Sequence, residues 1–596
     1  MRNLFRRCLA VATVGAMTLS LVACGGGSSS ETSGNAEGAS SDAQSSQAQE
    51  DPAFESGTPV YGGTFTTYWS EFYNEYDTSA NDNRNFIDLF SESLWQINWD
   101  EREDLGFKTA YLDINYITGN LAKSWEMADD YSSLTVTLQD DVHFADKTAV
   151  GMGEEYDIYG GRALTAADVK YTYDRVMGFD GVEKVSMEQT DWPASLPMLD
   201  SVEAVDDQTV KFNFNTNTEL DVQKFMCVML DVCGPEWDQL TDEQKTNWHY
   251  AGGTGPFILT NYVNDNTMTF TANPGYWQKD EDGNQLPYLS EINLVHTLDT
   301  ATMTSSIISG ELQALVANNV LISADEASTI PEGTVNTYKY YNDCPGVALK
   351  LGDNPVPALE DVNVRKAMQY AIDLEAISEY QGYSYDTDEE KNINLFLQGT
   401  GLNTEAGCSD ETFAEYSTYD PDLAKQLLEE AGYGDGFEFD IYLYEAQPVD
   451  SFKLAAEYLA AVGITMNINV VSTPPEMTKH GTDRTDPASQ YGSLGTDKTN
   501  AIVAIFRSDG VMNNVFQTNQ EIDDLCDKIT TAATLDDMVA ASGELSEAFL
   551  AQHYFLLVSY SQEFNNYVST SVKGWNGEKW TQYYFAGDIL SRIWVE

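Results

Sequence analysis

YDPDLAKQLLEEAGYGDGF, residues 419–437, carries the signals of a helix with both ends fixed. Asp420 stands where a side chain can cap the first turn, and Pro421 occupies the first helical position, where a missing amide costs nothing. Leu423, Leu427, Leu428 and Ala431 share one face, and Gly432 ends the element. DVNVRKAMQYAIDLEAI, residues 361–377, repeats the logic with Val364, Ala367, Met368, Ala371 and Ile372. Helices with one apolar stripe need a partner surface, and strand patterns elsewhere supply it. In SLTVTL, Leu134, Val136 and Leu138 alternate with polar residues, and SVEAVDDQTVKFNF, residues 201–214, sets two alternating runs around Asp206 and Asp207. LTAADVKYTYDRV, residues 164–176, offers Thr165 as an N-cap with Asp168 three positions on, an acidic capping box. Strands and helices alternate irregularly, which predicts mixed α/β lobes rather than a repeat array.

Length and charge narrow the reading. A chain of 596 residues with 42% hydrophobic content can bury a large core and is expected to divide into two or three domains. The formal net charge of −64 makes it soluble by self-repulsion and opposes any grip on a phosphate backbone, so no nucleic-acid partner is expected.

The N-terminus reads as an export signal. Arg2, Arg6 and Arg7 precede an apolar stretch from Leu9 to Ala23, too short for a stable membrane span. It ends in Leu21, Val22, Ala23 and Cys24, which looks like a bacterial lipobox, with cleavage before Cys24 and acylation of its thiol. Residues 25–58 are almost entirely Gly, Ser, Ala, Gln, Glu and Asp, the composition of a flexible tether.

No reaction chemistry stands out. There is no G-x-S-x-G, H-E-x-x-H or Walker loop, and His143, His249, His296, His480 and His553 are scattered without ligand spacing, so neither enzyme activity nor a metal or other cofactor is expected. KDEDGN, residues 279–284, lacks the glutamate a calcium loop needs and reads as an acidic surface turn. Beyond Cys24 the cysteines are Cys227, Cys233, Cys344, Cys408 and Cys526; Cys227 and Cys233 are open to either a local bridge or free buried thiols.

These segments together carry a resemblance. YGGTFTTYW from Tyr61, NLAKSWEMADDYSSLTVTLQDDVHFAD from Asn120, LTAADVKYTYDR, SVEAVDDQTVKF, GTGPFILTNY from Gly253, NPGYW from Asn273, ISGELQ from Ile308, the two helical stretches above and LAAVGITMNI from Leu459 stand in a fixed order. That order resembles the extracellular solute-binding proteins of family 5, the oligopeptide, dipeptide and nickel binders of ABC importers. The resemblance implies an α/β, two-lobe periplasmic-binding-protein-like fold of type II, in its large three-domain variant with a double-crossover hinge. It implies a monomer that captures a peptide, closes on it and hands it to ABC permease subunits, held by its lipid anchor at the extracytoplasmic face of the membrane. An oligosaccharide ligand, or a surface receptor without an importer, stays open. The implied boundaries are 1–23 for the signal, 24–58 for the tether, 59–105, 236–318 and 551–596 for domain I, 106–235 for domain II and 319–550 for domain III.

The departures set the site expectations. Loops lengthen at about 100–117, 148–160 and 382–409. The family's second-lobe run resembling W-x-x-D-x-x-DP, whose first Asp pairs with a peptide amine, finds its match here in FRSDGVMNN. Phe506 then replaces the Trp, Asp509 becomes the amine partner and Arg507 a carboxylate partner, with Ala501 to Phe506 read as the buried strand leading to them.

Overall fold

The computed structural model describes residues 58–596 apart from 70–75, 80–85, 98–116, 183, 186–195, 229, 297–298, 317–321, 342–343, 353–354, 384, 386–390, 392, 394–407, 445–447, 492–504, 511–512 and 576–585. Cys24 and the tether therefore lie outside the described residues.

The helix ends form as their sequences dictate. The helix Pro421–Glu430 is capped by Asp420, whose carboxylate accepts from the Leu423 amide at 2.9 Å, and Gly432 takes φ +84° just beyond it. Its buried face is centred on Ala424 and Leu428, with Leu427 and Ala431 half-buried beside them. In Val362–Tyr370, Asp361 accepts from the Asn363 amide at 2.8 Å, and Val364, Ala367, Met368, Ala371 and Ile372 are buried. At the start of Ala166–Met177 the Thr165 amide donates to Asp168 at 2.9 Å.

Three sheets organise these helices. The first is seven-stranded: β12 (Val335–Tyr341), β18 (Glu563–Ser569), β11 (Ala314–Leu315), β1 (Thr64–Tyr68), β10 (Glu291–Val295), β9 (Thr267–Ala272) and β8 (Phe257–Val263), in that order. The second has four antiparallel strands, β4 (Ala122–Met127), β5 (Ser133–Leu138), β7 (Thr209–Phe214) and β6 (Leu199–Asp206). The third has five, β15 (Ile464–Val471), β14 (Phe437–Tyr444), β16 (Ala488–Tyr491), β13 (Gly346–Leu349) and β17 (Phe555–Leu557). Two short pairs complete the set, β2 (Trp95–Ile97) with β3 (Ile117–Gly119), and β19 (Val572–Lys573) with β20 (Trp594–Val595). The alternation read in β5 is literal, since Leu134, Val136 and Leu138 are buried while Ser133, Thr135 and Thr137 are half-buried. β6 and β7 pair up to Asp206 with Thr209, so the turn residues are Asp207 and Gln208, one position beyond the sequence reading.

Two apolar cores result. One spans the first two sheets, from Phe65 and Trp69 to Leu590 and Ile593; the other fills the five-stranded sheet and its helices, from Cys344 to Tyr560, and is joined by Leu220. β12 lies inside the range expected for the second lobe but belongs to the seven-stranded sheet, so the chain changes lobes after Tyr341 rather than near residue 319. It returns between β17 and β18.

Gly436 shows how tightly the third sheet starts. Its φ is +80°, and a Cβ there would stand 2.0 Å from the Gly463 carbonyl oxygen, so only glycine lets β14 and β15 begin side by side. Cys227 and Cys233 are not bridged to each other, and Cys233 Sγ lies 3.4 Å from Ser79 Oγ. At the acidic turn Asp280 accepts from the Asn284 amide at 2.6 Å and its side chain at 2.7 Å.

Candidate ligand-binding site

Strand direction locates the cleft edge of each lobe. β1 runs parallel to β10 and β11, while β11 and β12 are both antiparallel to β18. All four strands therefore point the way β12 points, toward the crossover, and their carboxyl ends lie at that edge. β1 consequently begins, at Thr64, on the edge remote from the crossover. In the second lobe Gly346 opens β13 opposite Tyr491 of β16 and Leu557 of β17. β14 runs parallel to β15 and β16, so the carboxyl ends of β14, β15, β16 and β17 also lie at the crossover edge. Two sheets thus present their carboxyl edges at one pair of connections, the place where open α/β sheets bind ligands.

Side chains at these edges are aromatic and polar. In the first lobe the His296 ring stacks on Tyr68 at 6.0 Å with its Nδ1 3.2 Å from the Trp69 carbonyl. Glu563, the first residue of β18, accepts from Asn565 at 2.9 Å and stands 3.6 Å from Lys339. In the second lobe the Gln490 side-chain oxygen accepts from the Tyr444 amide at 2.9 Å, tying the ends of β14 and β16 together.

The three second-lobe residues singled out in the sequence are close to one another. Phe506 is fully buried, its ring 4.8 Å from that of Phe549, so it serves the core. Ile505 and Phe506 are helical, not the end of a strand; the strand of this region is β16, and 501–504 lie outside the described residues. A short apolar run fits a buried helix as well as a strand, which is why periodicity misread it. Arg507 Nε pairs with Asp509 at 2.8 Å and its Nη1 with Asp527 at 2.5 Å, and the Asp509 side chain is 73% exposed. Their turn is followed by Val515, whose carbonyl accepts from the Leu351 amide at 2.9 Å, beyond the end of β13 remote from Gly346.

A carboxylate the sequence reading missed lies inside the first lobe. Glu92 is 5% exposed and accepts from Tyr276 Oη at 3.0 Å, Trp277 Nε1 at 3.0 Å and Gln278 Nε2 at 3.3 Å. Burial pushes its carboxyl up to about 7; the Trp277 and Tyr276 bonds oppose the rise and Asp231 adds to it. It borders an indentation of about 420 Å³ shared with Asp88, Asn120, Asp231 and Asp588. The signal for it was available in NPGYW, whose Tyr276 and Trp277 supply two of the donors.

The described histidines are engaged with the protein: His480 with Asp486 at 2.7 Å, His553 with Glu415 at 2.6 Å and His249 with Asn247 at 2.8 Å. Among the described residues no group of three or more His, Cys, Asp and Glu is arranged to hold a metal ion, and no helix is long and apolar enough to cross a membrane.

Residues 117–512 match the family described as bacterial extracellular solute-binding proteins, family 5 Middle. The chain belongs to that family. Its members bind solutes for transport rather than transforming them, and the mixed α/β architecture here is theirs. Curated family relatives include Heme-binding protein A of Haemophilus influenzae, 26% identical over 338 residues (55% of this chain, 56% of the relative). Di/tripeptide-binding protein 1 of Pseudomonas aeruginosa is 26% identical over 366 residues (58% and 62%), and the dipeptide-binding protein of Escherichia coli 26% over 347 residues (55% and 57%). The chain thus matches little more than half the length of each. Among solved structures, a putative peptide binding protein AppA from Clostridium difficile superposes with a TM-score of 0.69 at 16% identity, covering 90% of this chain and 100% of that one. DppA from Helicobacter pylori, in complex with the peptide STSA, superposes at 0.66 and 17%, covering 90% and 99%. Both likenesses concern the family 5 fold.

Proposed function

We propose that the chain is the substrate-binding component of an ABC importer that captures peptides outside the cell and delivers them to a membrane permease. The observation that carries this is the pair of facing carboxyl edges joined by two crossovers, in a family whose relatives include proteins named for dipeptides and tripeptides. In this reading domains I and II form the first lobe, 59–341 with 563–596, and domain III the second, 346–557. A ligand bridging both edges favours the closed arrangement, because it binds that state better. Cys24 carries the lipid anchor in the same reading, and the receptor acts as a monomer.

Asp509 is the proposed partner of the ligand amine, with Phe506 and Arg507 beside it; its solvated carboxylate pairs with Arg507, itself shared with Asp527. The end of β16 at Tyr491 favours a second candidate, Asp497, the first acidic residue in sequence after that strand. A charge-assisted bond to an ammonium contributes about 1.5 to 3 kcal/mol. Mass spectrometry of solute carried through purification identifies the ligand class, and calorimetry with dipeptides and tripeptides, free and N-acetylated, tests the amine. Asp509→Asn is expected to weaken binding by about that amount. Loss in Asp497→Asn alone moves the role there, and equal affinity for acetylated peptide in all three proteins refutes an amine site.

A further inference from the structure

The second crossover leaves the five-stranded sheet at Leu557 and enters the seven-stranded sheet at Glu563. The residues between are held almost one by one, and the second lobe supplies many of the holds. Gln369 brackets Leu557, its oxygen accepting from the Leu557 amide at 2.9 Å and its nitrogen donating to the Leu557 carbonyl at 3.4 Å. The Val558 amide donates to Pro345 of the first crossover at 3.0 Å. The Tyr560 amide donates to the Ser378 hydroxyl at 3.1 Å, and Tyr385 Oη donates to the Ser561 carbonyl at 2.7 Å. Tyr383 is hydrogen-bonded to the Gln562 side chain.

Tyr383, Tyr385 and Lys391 belong to the lengthened stretch at 382–409 that departs from the family pattern. Besides its hydrogen bond, the Tyr385 ring meets that of Tyr560 edge-on at 5.9 Å, and Phe413, just past the stretch, stacks on the other side at 6.3 Å. Lys391 Nζ sits 5.6 Å from the Tyr560 ring centroid, held by Glu375 at 2.9 Å. Tyr560 and Ser561 are 3% and 1% exposed, so these bonds are shielded from competing water. A connection of this length, left to itself, would be the softest part of a two-lobe protein.

We propose that Tyr383, Tyr385 and Lys391 form a hinge clamp, which makes residues 557–562 move as part of the second lobe and confines bending of this crossover to its junction with β18 at Glu563. The clamp fixes the path of closure and limits how widely the unliganded lobes part. A receptor that samples fewer open arrangements loses less conformational freedom on binding, so the clamp also raises affinity for whatever solute is captured.

Hydrogen exchange of the unliganded full chain tests this without a ligand, so its outcome is separate from that of the peptide reading. Tyr385→Phe removes the bond to Ser561 and keeps the ring; Ser378→Ala removes the acceptor of the Tyr560 amide. Exchange within 557–562 is expected to quicken about fivefold in either variant, with little change in the helices of the second lobe, and small-angle scattering to show a wider spread of unliganded shapes. Unchanged exchange at 557–562 overturns the clamp. So does an acceleration spread evenly over the second lobe, which is a general loss of stability. Should Tyr385→Phe fail to fold, Lys391→Ala, which removes the cation over Tyr560 together with its ion pair to Glu375, carries the same test.

Discussion

Replacing Glu92 by Gln should remove a pH dependence built into the first lobe. Burial moves this carboxyl from 4.5 to about 7. A folded-state value above the unfolded one means the native lobe prefers the neutral acid. Below pH 4.5 both states are protonated and there is no penalty; stability then falls as pH rises, and above about 7 the loss is complete. Two to three units at 1.36 kcal/mol each give roughly 3 kcal/mol. Gln keeps the shape and one acceptor oxygen but cannot ionise, so it imitates the protonated form. Urea unfolding of both proteins at pH 5, 6, 7 and 8, read on the transition that includes the first lobe, gives the difference directly. The variant should match wild type within about 1 kcal/mol at pH 5 and exceed it by up to about 3 kcal/mol at pH 8. A difference that does not change with pH would refute the reasoning, because Glu92 would then hold the same charge in both states.

Arg175 is 1% exposed at its side chain and pairs with Asp238 at 2.7 Å and Asp77 at 2.8 Å, while Trp237 also donates to Asp77 at 2.9 Å. Arg175→Ala should cost about 3 to 5 kcal/mol, measured by denaturant unfolding, because it empties the space of a fully buried side chain and takes the guanidinium away from Asp77 and Asp238, of which Asp238 keeps Lys245 at 2.8 Å. Gly436→Ala forces a Cβ against the Gly463 carbonyl and should cost at least about 2 kcal/mol, seen as a lower unfolding midpoint of the second lobe. Cys24→Ser should abolish partitioning into a detergent phase; equal partitioning of wild type and variant would dismiss the anchor.

What could be read from the chain alone was what its neighbours in sequence decide. Asp420 and Gly432 bound their helix because capping is settled within a turn, and the strand β5 declared itself because alternation needs only one buried face. At Ile505 and Phe506, the described end of its run, the strand reading failed because a short apolar segment buries equally well as either element. The lobe boundary after Tyr341 was misplaced because membership of β12 depends on its pairing with β18, more than two hundred residues away in sequence. Glu92 could not be joined to its donors for the same reason, since Tyr276 and Trp277, legible as part of NPGYW, and its neighbour Asp231 meet it only in the fold.

The direction of β1 has a mechanical consequence. Any pull on the residues ahead of Val60 enters the body at Thr64, the edge remote from the crossovers, and runs along a strand bonded to β10 on one side and β11 on the other. Such a load is carried in shear by the ladder as a whole instead of peeling one bond at a time, and it is discharged into the first lobe. A load that enters there therefore does not act across the two crossovers.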